Sequence, residues 1–190
     1  STSCAPTRSR SRRRLPPRES WPAWLKERPA SDPLARTVKS LQAIEAAGGE
    51  VELISADVAD LAQMREAFAR VRARFGALHG VFHTAGLLDD KLLAQKTWDD
   101  AERVLRPKLE GTWVLHQLAQ QSGAELLVLF SSTSTYIGPP GQVDYVAANA
   151  FLEAYAQAQR ASTGPRCVVV QWGAFRDVGM AAEALRAQSA

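Results

Sequence analysis

The apolar positions of the chain alternate between a helical period and short continuous runs. Spacings of three and four residues, as at Leu34, Val38 and Leu41, predict helices over residues 32–47, 60–76, 97–122 and 145–161. The apolar runs between them predict buried strands over residues 51–58, 78–86, 124–132 and 165–173. This rhythm predicts an α/β fold with a parallel sheet covered by helices on both faces.

Two further features affect the predicted packing. Residues 15–33 contain five prolines, which predicts a loop without regular structure. Trp98, Trp113 and Trp172 lie in or beside predicted helices and strands, so we expect them in the core.

Composition indicates a globular chain of one domain. The chain has 190 residues, of which 46% are apolar and 23% charged. No apolar run approaches the roughly 20 residues of a membrane span, and no leader-type segment opens the chain, so we expect a cytoplasmic protein. Cys4 and Cys167 lack metal-type spacing, and no metal site is expected.

Charge is concentrated at the start of the chain. Residues 1–14 hold five arginines and no acidic residue, which predicts a basic, disordered segment preceding a domain at residues 15–190. Such a tract can contact phosphate, which leaves nucleic-acid binding open as a weaker alternative. It has no aromatic side chain for base stacking, so we do not expect a nucleic-acid partner.

Candidate chemistry lies where the predicted strands end, because ligands of open parallel sheets bind beyond the carboxyl ends of the strands. Ser132 ends one strand, and Tyr145 and Asn149 lie one helical turn apart in the helix that follows. A phenol beside a serine and a cation can donate a proton, since a nearby positive charge lowers its pKa from about 10.

The segment "RPKLEGTWVLHQL" contains Lys108 and resembles the ketoreductase domains of modular polyketide synthases, which belong to the short-chain dehydrogenase/reductase superfamily. In these domains lysine and asparagine have exchanged places relative to simpler short-chain reductases. "YVAANAFLEAYA", "GVFHTAG" and "ADVAD" match the family as well, and the likeness covers about residues 11–181. The resemblance implies a Rossmann-like, doubly wound parallel sheet.

The resemblance also implies a reaction, in which NADPH reduces the β-keto group of an acyl thioester carried by an acyl carrier protein. Other domains of a polyketide synthase are then partners. Ser132 would bind the carbonyl oxygen, Tyr145 would protonate it, Lys108 would hold the cofactor ribose, and Asn149 would position a water.

Further residues are assigned only by this likeness. The implied cofactor contacts, beside Lys108 and Tyr145, are Arg12, Asp57, Val58, Ala85, Gly86 and Gly173. Leu88, Asp89 and Asp90 supply the LDD signature of the subtype that forms D-hydroxy products. The other subtype carries tryptophan eight residues before the tyrosine, where this chain has Ile137.

The chain departs from the family at its ends. No glycine precedes Gly48, so the glycine-rich cofactor turn and the first two strands are missing from the predicted pattern. We therefore expect an incomplete sheet, in a truncated fragment that is inactive alone. A noncatalytic structural remnant of a ketoreductase stays open as the main alternative.

Overall fold

The computed structural model describes residues 15–29, 31–175 and 179, which form an α/β structure in two compact units, residues 1–53 and 54–190. The helices are α1 (Trp21–Lys26), α2 (Pro33–Ala46), α3 (Leu61–Phe75), α4 (Trp98–Ser122), α5 (Ser134–Ile137) and α6 (Val143–Ala158). The strands are β1 (Gly80–His83), β2 (Leu126–Ser132) and β3 (Arg166–Trp172), and 3₁₀ turns lie at Arg18–Ser20, Leu93–Gln95 and Gln159–Ala161. The predicted basic segment 1–14 lies outside the described residues.

The first unit contains a small core between α1 and α2. Trp21, Val38 and Leu41 are its buried members, and the Trp21 indole donates to the Pro16 carbonyl at 2.9 Å. The prediction of an irregular loop over residues 15–33 is wrong at α1. Pro22 lies in the first turn of that helix, where its missing N–H removes no helical hydrogen bond.

The Asp32 side chain caps the start of α2. The Asp32 carboxylate accepts hydrogen bonds from the N–H groups of Leu34 and Ala35, which have no partner within the helix. The helix then ends at Ala46, and Gly48, two residues later, has a positive φ, which is common just after a helix.

The second unit contains a parallel sheet with strand order β1-β2-β3, so the predicted α/β class is confirmed. Gly80 pairs with Leu126, and Leu126 pairs with Arg166. Leu127 and Leu129 of β2 pack against α4 and α6 and are fully buried. Successive side chains of a strand lie on opposite faces of the sheet, so Leu127 and Leu129 share the same, covered face. The sheet thus has a helical layer on the face that holds the core.

The predicted strand over residues 51–58 does not form. These residues have no regular secondary structure and lead into a turn at residue 58. A strand needs a hydrogen-bonding neighbour, and the sheet of the described residues has only β1, β2 and β3. Phe82, on the opposite face of β1 from the core, is 63% exposed. The prediction that helices cover both faces of the sheet therefore fails at Phe82, whose side chain is exposed.

The prediction that three tryptophans lie in the core is also wrong. Trp98, Trp113 and Trp172 are 74%, 60% and 38% exposed. Trp113 lies on the outer side of α4 and packs its ring edge-on against Tyr155 of α6 at 5.1 Å between centroids. Membership of a helix or strand does not tell which face a side chain occupies.

The long helix α4 has well-defined ends, which fix the position of Lys108 along it. Thr97 and Asp100 form a reciprocal capping box at its start, and Gly123 ends it in the left-handed conformation at φ 71°. Among the residues that the structure describes, no helix has the length and apolar character of a membrane span.

Candidate functional site

The carboxyl ends of β2 and β3 lie side by side. Ser132 pairs with Trp172 in the sheet, and the Thr133 N–H donates to the Trp172 carbonyl at 3.0 Å. The Ser132 hydroxyl oxygen accepts from the Ser134 N–H at 3.2 Å. This local turn places the half-buried Ser132 hydroxyl directly beyond the end of the strand.

Lys108 reaches the same strand end from α4. Its ammonium group donates to the Phe130 carbonyl at 2.8 Å, two residues before Ser132, and the residue is 3% exposed. Burial without a carboxylate lowers the pKa of Lys108 to about 8, because the charged form loses its hydration. The site therefore contains a buried cation whose main anchor is a backbone carbonyl.

Tyr145 and Asn149 lie in the first turns of α6. The Asn149 side-chain amide nitrogen donates to the Tyr145 carbonyl at 2.8 Å, while its side-chain oxygen, Oδ1, is buried without a hydrogen-bond partner. An unsatisfied acceptor in the interior costs about 1–3 kcal/mol, so its retention indicates a place for a further donor. The Tyr145 side chain is half-buried.

Ser131 joins α6 to β2 beside the candidate serine. Its hydroxyl group lies 2.6 Å from a Glu153 carboxylate oxygen and 3.3 Å from the Asn149 carbonyl oxygen. These contacts fix the helix that bears Tyr145 against the strand that bears Ser132. Sequence reasoning passed over Ser131, although its position beside Ser132 is the signal that could have identified it.

The predicted catalytic residues thus come from α4, β2 and α6 and are all anchored at one end of the sheet. Lys108 contacts the main chain of β2, and Asn149 is linked to β2 through Ser131. Within the described residues, no hydrogen bond joins the side chains of any two members of the predicted set of four. Lys108, Ser132 and Asn149 each make a hydrogen bond to a main-chain group instead.

Two of the predicted cofactor contacts lie before α3. The Asp57 carboxylate accepts from the Ala59 N–H at 3.0 Å and pairs with Arg106 of α4 at 2.9 Å. The Ala59 hydrogen bond, helped by Arg106, lowers the pKa of Asp57. Val58 packs on Gly111 of α4, where a Cβ would lie 2.9 Å from a valine methyl group. Both residues hold their segment to α4, and Arg106 was not anticipated.

The remaining predicted cofactor contacts are backbone positions. Ala85 and Gly86 are half-buried in the loop after β1, and Gly173 is exposed directly after β3 with open space around its Cα. These loops follow the carboxyl ends of their strands, as the sequence predicts. Arg12 lies outside the described residues.

The LDD segment, Leu88, Asp89 and Asp90, makes side-chain contacts with α4 and with the residue just before α6. Asp89 pairs with Arg103 at 2.7 Å, and Asp90 accepts from the Gln142 amide group at 2.9 Å. Leu88 is half-buried. The same region contains a buried ion pair between Lys96 and Asp144 at 2.7 Å, which no pattern in the sequence indicated.

His83, at the end of β1, lies in the interior at 1% exposure, and neither of its ring nitrogens makes a well-formed hydrogen bond. Burial, reinforced by the positive charge of Lys108, lowers the pKa of His83 to about 4, and the nearby Pro107 backbone offsets little of this. His83 is therefore neutral near pH 7. No set of three or more potential metal ligands occurs among the described residues.

Comparison with known proteins identifies the family. The family described as "KR domain" matches residues 18–177. The chain belongs to the ketoreductase-domain family of polyketide synthases. This ketoreductase sequence is 39% identical over 173 residues to 6-methylsalicylic acid synthase of Aspergillus terreus, covering 90% of the chain and 9% of that protein. It is 36% identical over 172 residues to mellein synthase of Phaeosphaeria nodorum, with the same coverage. The chain thus spans about a tenth of these relatives.

Solved ketoreductases share the fold. A ketoreductase domain from the bacillaene assembly line matches with a TM-score of 0.71 and 30% identity, over 80% of this chain and 37% of that one. An A1-type ketoreductase matches with a TM-score of 0.71 and 32% identity, over 84% and 33%. The ketoreductase fold is that of short-chain dehydrogenases, so the chain is of an oxidoreductase type that uses a nicotinamide cofactor.

The described residues fit one end of such a cofactor. Lys108 offers a buried cation and Asn149 an unsatisfied acceptor at the carboxyl end of the sheet, where the reactive end of a nicotinamide cofactor binds in this fold. The described residues before Gly48 contain no glycine, so they supply no glycine-rich turn for the pyrophosphate. Lys108 is thus a candidate to hold the nicotinamide ribose.

Proposed function

We propose that this ketoreductase segment reduces the β-keto group of a polyketide intermediate held as a thioester on an acyl carrier protein. The observation that carries the proposal is the contact of Lys108, from α4, with the Phe130 carbonyl of β2. This contact brings a cation to the strand end occupied by Ser132. Asn149 occupies the position in the tyrosine helix where simpler short-chain reductases have their lysine.

When bound, a nicotinamide would supply the hydride for the new C–H bond. Ser132 donates a hydrogen bond to the carbonyl oxygen of the substrate, which orients the carbon for attack. Tyr145 transfers its phenolic proton to the same oxygen as the C=O π bond breaks, and the product is a β-hydroxyacyl thioester. Lys108 stabilises the phenolate that remains and holds the cofactor ribose, while Asn149 holds a water for return of the proton.

Three finer assignments belong to the same proposal. The cofactor is NADPH rather than NADH, by the likeness of Arg12 to the family's phosphate-binding arginine. The product has the D configuration, because the chain carries Leu88, Asp89 and Asp90 and has Ile137 in place of the alternative tryptophan. The host is a cytoplasmic polyketide synthase, whose other domains are the partners.

The likeness of the fold does not separate the product subtypes. Ketoreductases named A-type and A1-type match with TM-scores of 0.66 and 0.71, and the bacillaene domain, whose name gives no subtype, matches with 0.71. The proposal on product configuration therefore depends on the short LDD segment and not on overall similarity.

A noncatalytic remnant of a ketoreductase is the competing function. The two are distinguished with a hybrid domain, in which residues 54–175 replace the matching segment of the bacillaene ketoreductase. We expect this hybrid to oxidise NADPH when given a β-ketoacyl thioester on an acyl carrier protein. Hydroxyacyl product, detected by mass spectrometry, must accumulate in equal amount.

Two controls define the outcome. Unloaded carrier protein must give no oxidation, and the hybrid that carries Tyr145→Phe must form little hydroxyacyl product. A hybrid that shows a cooperative thermal transition and binds NADPH, but forms no hydroxyacyl product, would support the remnant and overturn the proposed reaction.

A further inference from the structure

The ion pair between Lys96 and Asp144 joins two segments that are 48 residues apart. The Lys96 ammonium group lies 2.7 Å from an Asp144 carboxylate oxygen and donates to the Asp89 carbonyl at 2.6 Å. Each side chain of the pair is only 3% exposed. One buried cation thus contacts both the LDD segment and the start of α6.

Asp144 is the residue before Tyr145, and it contacts the main chain there. Its second carboxylate oxygen accepts from the Tyr145 N–H at 2.9 Å. The Asp144 carboxylate therefore bridges the ammonium group of Lys96 and the backbone of the proposed proton donor. A shift of Lys96 relative to α6 would break one of these two contacts.

Two further hydrogen bonds join the LDD segment and the residue after it to the residues just before α6. The Lys91 N–H donates to the Gly141 carbonyl at 3.0 Å, and the Gln142 amide group donates to Asp90 at 2.9 Å. These contacts are at the surface or at the main chain. The Lys96–Asp144 pair is the buried charged contact between residues 88–96 and the start of α6.

Stability alone does not explain a buried ion pair, because desolvation offsets most of the Coulombic attraction. An apolar pair of similar volume is often as stable. What the charged pair adds is directional geometry, since the ammonium group satisfies the Asp89 carbonyl and the carboxylate together. This geometry fixes the distance between the LDD segment and the first turn of α6.

We propose that Lys96, through Asp144, is a positioning residue for Tyr145 that sets the proton donor in register with the LDD segment. Lys96 touches neither substrate nor cofactor in this assignment. It acts by holding the loop that selects product configuration and the helix that bears the phenol as one rigid part. The inference rests on the proposed function of Tyr145.

The first test is amide hydrogen exchange of the ¹⁵N-labelled 190-residue chain. Lys96→Met should speed exchange of the Tyr145 amide by at least about tenfold relative to amides of β2, since local opening is governed by local contacts. Lys96→Arg should restore most of the protection. Lys91→Met is the matched control, because it also removes a lysine that pairs with acidic residues, here Asp89 and Asp100. The Lys91 side chain makes neither pairing with α6.

The second test is kinetic and uses the hybrid domain. Lys96→Met should lower kcat at least about tenfold, because a misplacement of about 1 Å can cost about 10²-fold, with KM for NADPH changed less than about twofold. The product should lose part of its configurational purity. If Lys96→Met does not fold, the double variant Lys96→Gln, Asp144→Asn takes its place, because it removes both charges and keeps an uncharged hydrogen bond.

The outcomes separate the two proposals. Unchanged exchange at Tyr145, equal acceleration in β2, or a kinetic effect no larger than that of Lys91→Met would overturn the role of Lys96. An inactive but folded hybrid would overturn the proposed reaction, while the exchange result would still decide whether Lys96 holds Tyr145 to the LDD segment.

Discussion

Lys108 and Asn149 show how much of the site sequence could supply at the scale of single residues. Their identities and order predicted the candidate set, because the exchange of lysine and asparagine is visible in the sequence. Their environments were not visible. The contact of Lys108 with Phe130 and the unsatisfied oxygen of Asn149 depend on how α4 and α6 dock on β2. Such contacts between distant segments have no local pattern.

His83 gives a prediction on pH. Its pKa is about 4 in the folded chain and 6.5 in the unfolded chain, so unfolding takes up a proton between these values. Stability from neutral His83 is fully present above pH 6.5 and falls as the pH drops to 4, by about 3 kcal/mol in total. His83→Phe should remove this part of the slope in urea unfolding series. An equal slope in both proteins would contradict the buried, neutral state of His83.

At the scale of elements, the strands β1, β2 and β3 and the helices α2, α3, α4 and α6 were predictable, because each has a clear period and local end signals. The errors have physical causes. Residues 51–58 read as a strand, but a strand depends on partners that its own sequence cannot reveal. The helix α1 formed within a proline-rich stretch because Pro22 lies where a helix tolerates it.

The packing of Val58 on α4 gives a prediction for Gly111. In Gly111→Ala the new Cβ would lie 2.9 Å from a methyl group of Val58. Overpacking costs about 1–3 kcal/mol, which outweighs a gain in helix propensity of about 1 kcal/mol. We expect a loss of up to about 2 kcal/mol in the free energy of unfolding. In a Val58→Ala background the same change should be neutral or stabilising; equal losses in both backgrounds would exclude the contact.

The LDD segment gives a prediction on product configuration. The hybrid domain, supplied with a diketide β-keto thioester and NADPH, should yield mainly the D-hydroxy product, measured by chiral chromatography. Asp89 and Asp90 hold this segment to α4 and α6, so the segment has a fixed place beside the helix of Tyr145. Mainly L-hydroxy product would contradict the assignment.

At the scale of the whole molecule, the described residues place the candidate site at one end of a sheet of three strands. The fold class and family were predictable because separated motifs agreed with the strand and helix rhythm. The division of the chain at residue 53 was not predictable, since it depends on which segments pack together. The outer edge of β1 has no partner strand among the described residues.

This sheet gives a prediction for the isolated 190-residue chain. It should show no saturable change in NADPH fluorescence at micromolar concentration, because the sequence has no glycine-rich turn to receive the pyrophosphate. Thermal unfolding should be broad, since the unpaired edge of β1 in the described sheet removes part of a stability margin of only about 5–15 kcal/mol. A sharp transition together with NADPH oxidation by a β-keto thioester would refute this expectation.

The most direct measurement is the turnover of Tyr145→Phe in the hybrid domain, with NADPH affinity measured on the same samples. The variant keeps the aromatic ring and loses only the proton donor. We predict that reduction of the β-keto thioester falls by at least about 10²-fold while the Kd for NADPH changes by less than about tenfold. Near-normal turnover, or a larger loss of NADPH affinity, would contradict the role of Tyr145.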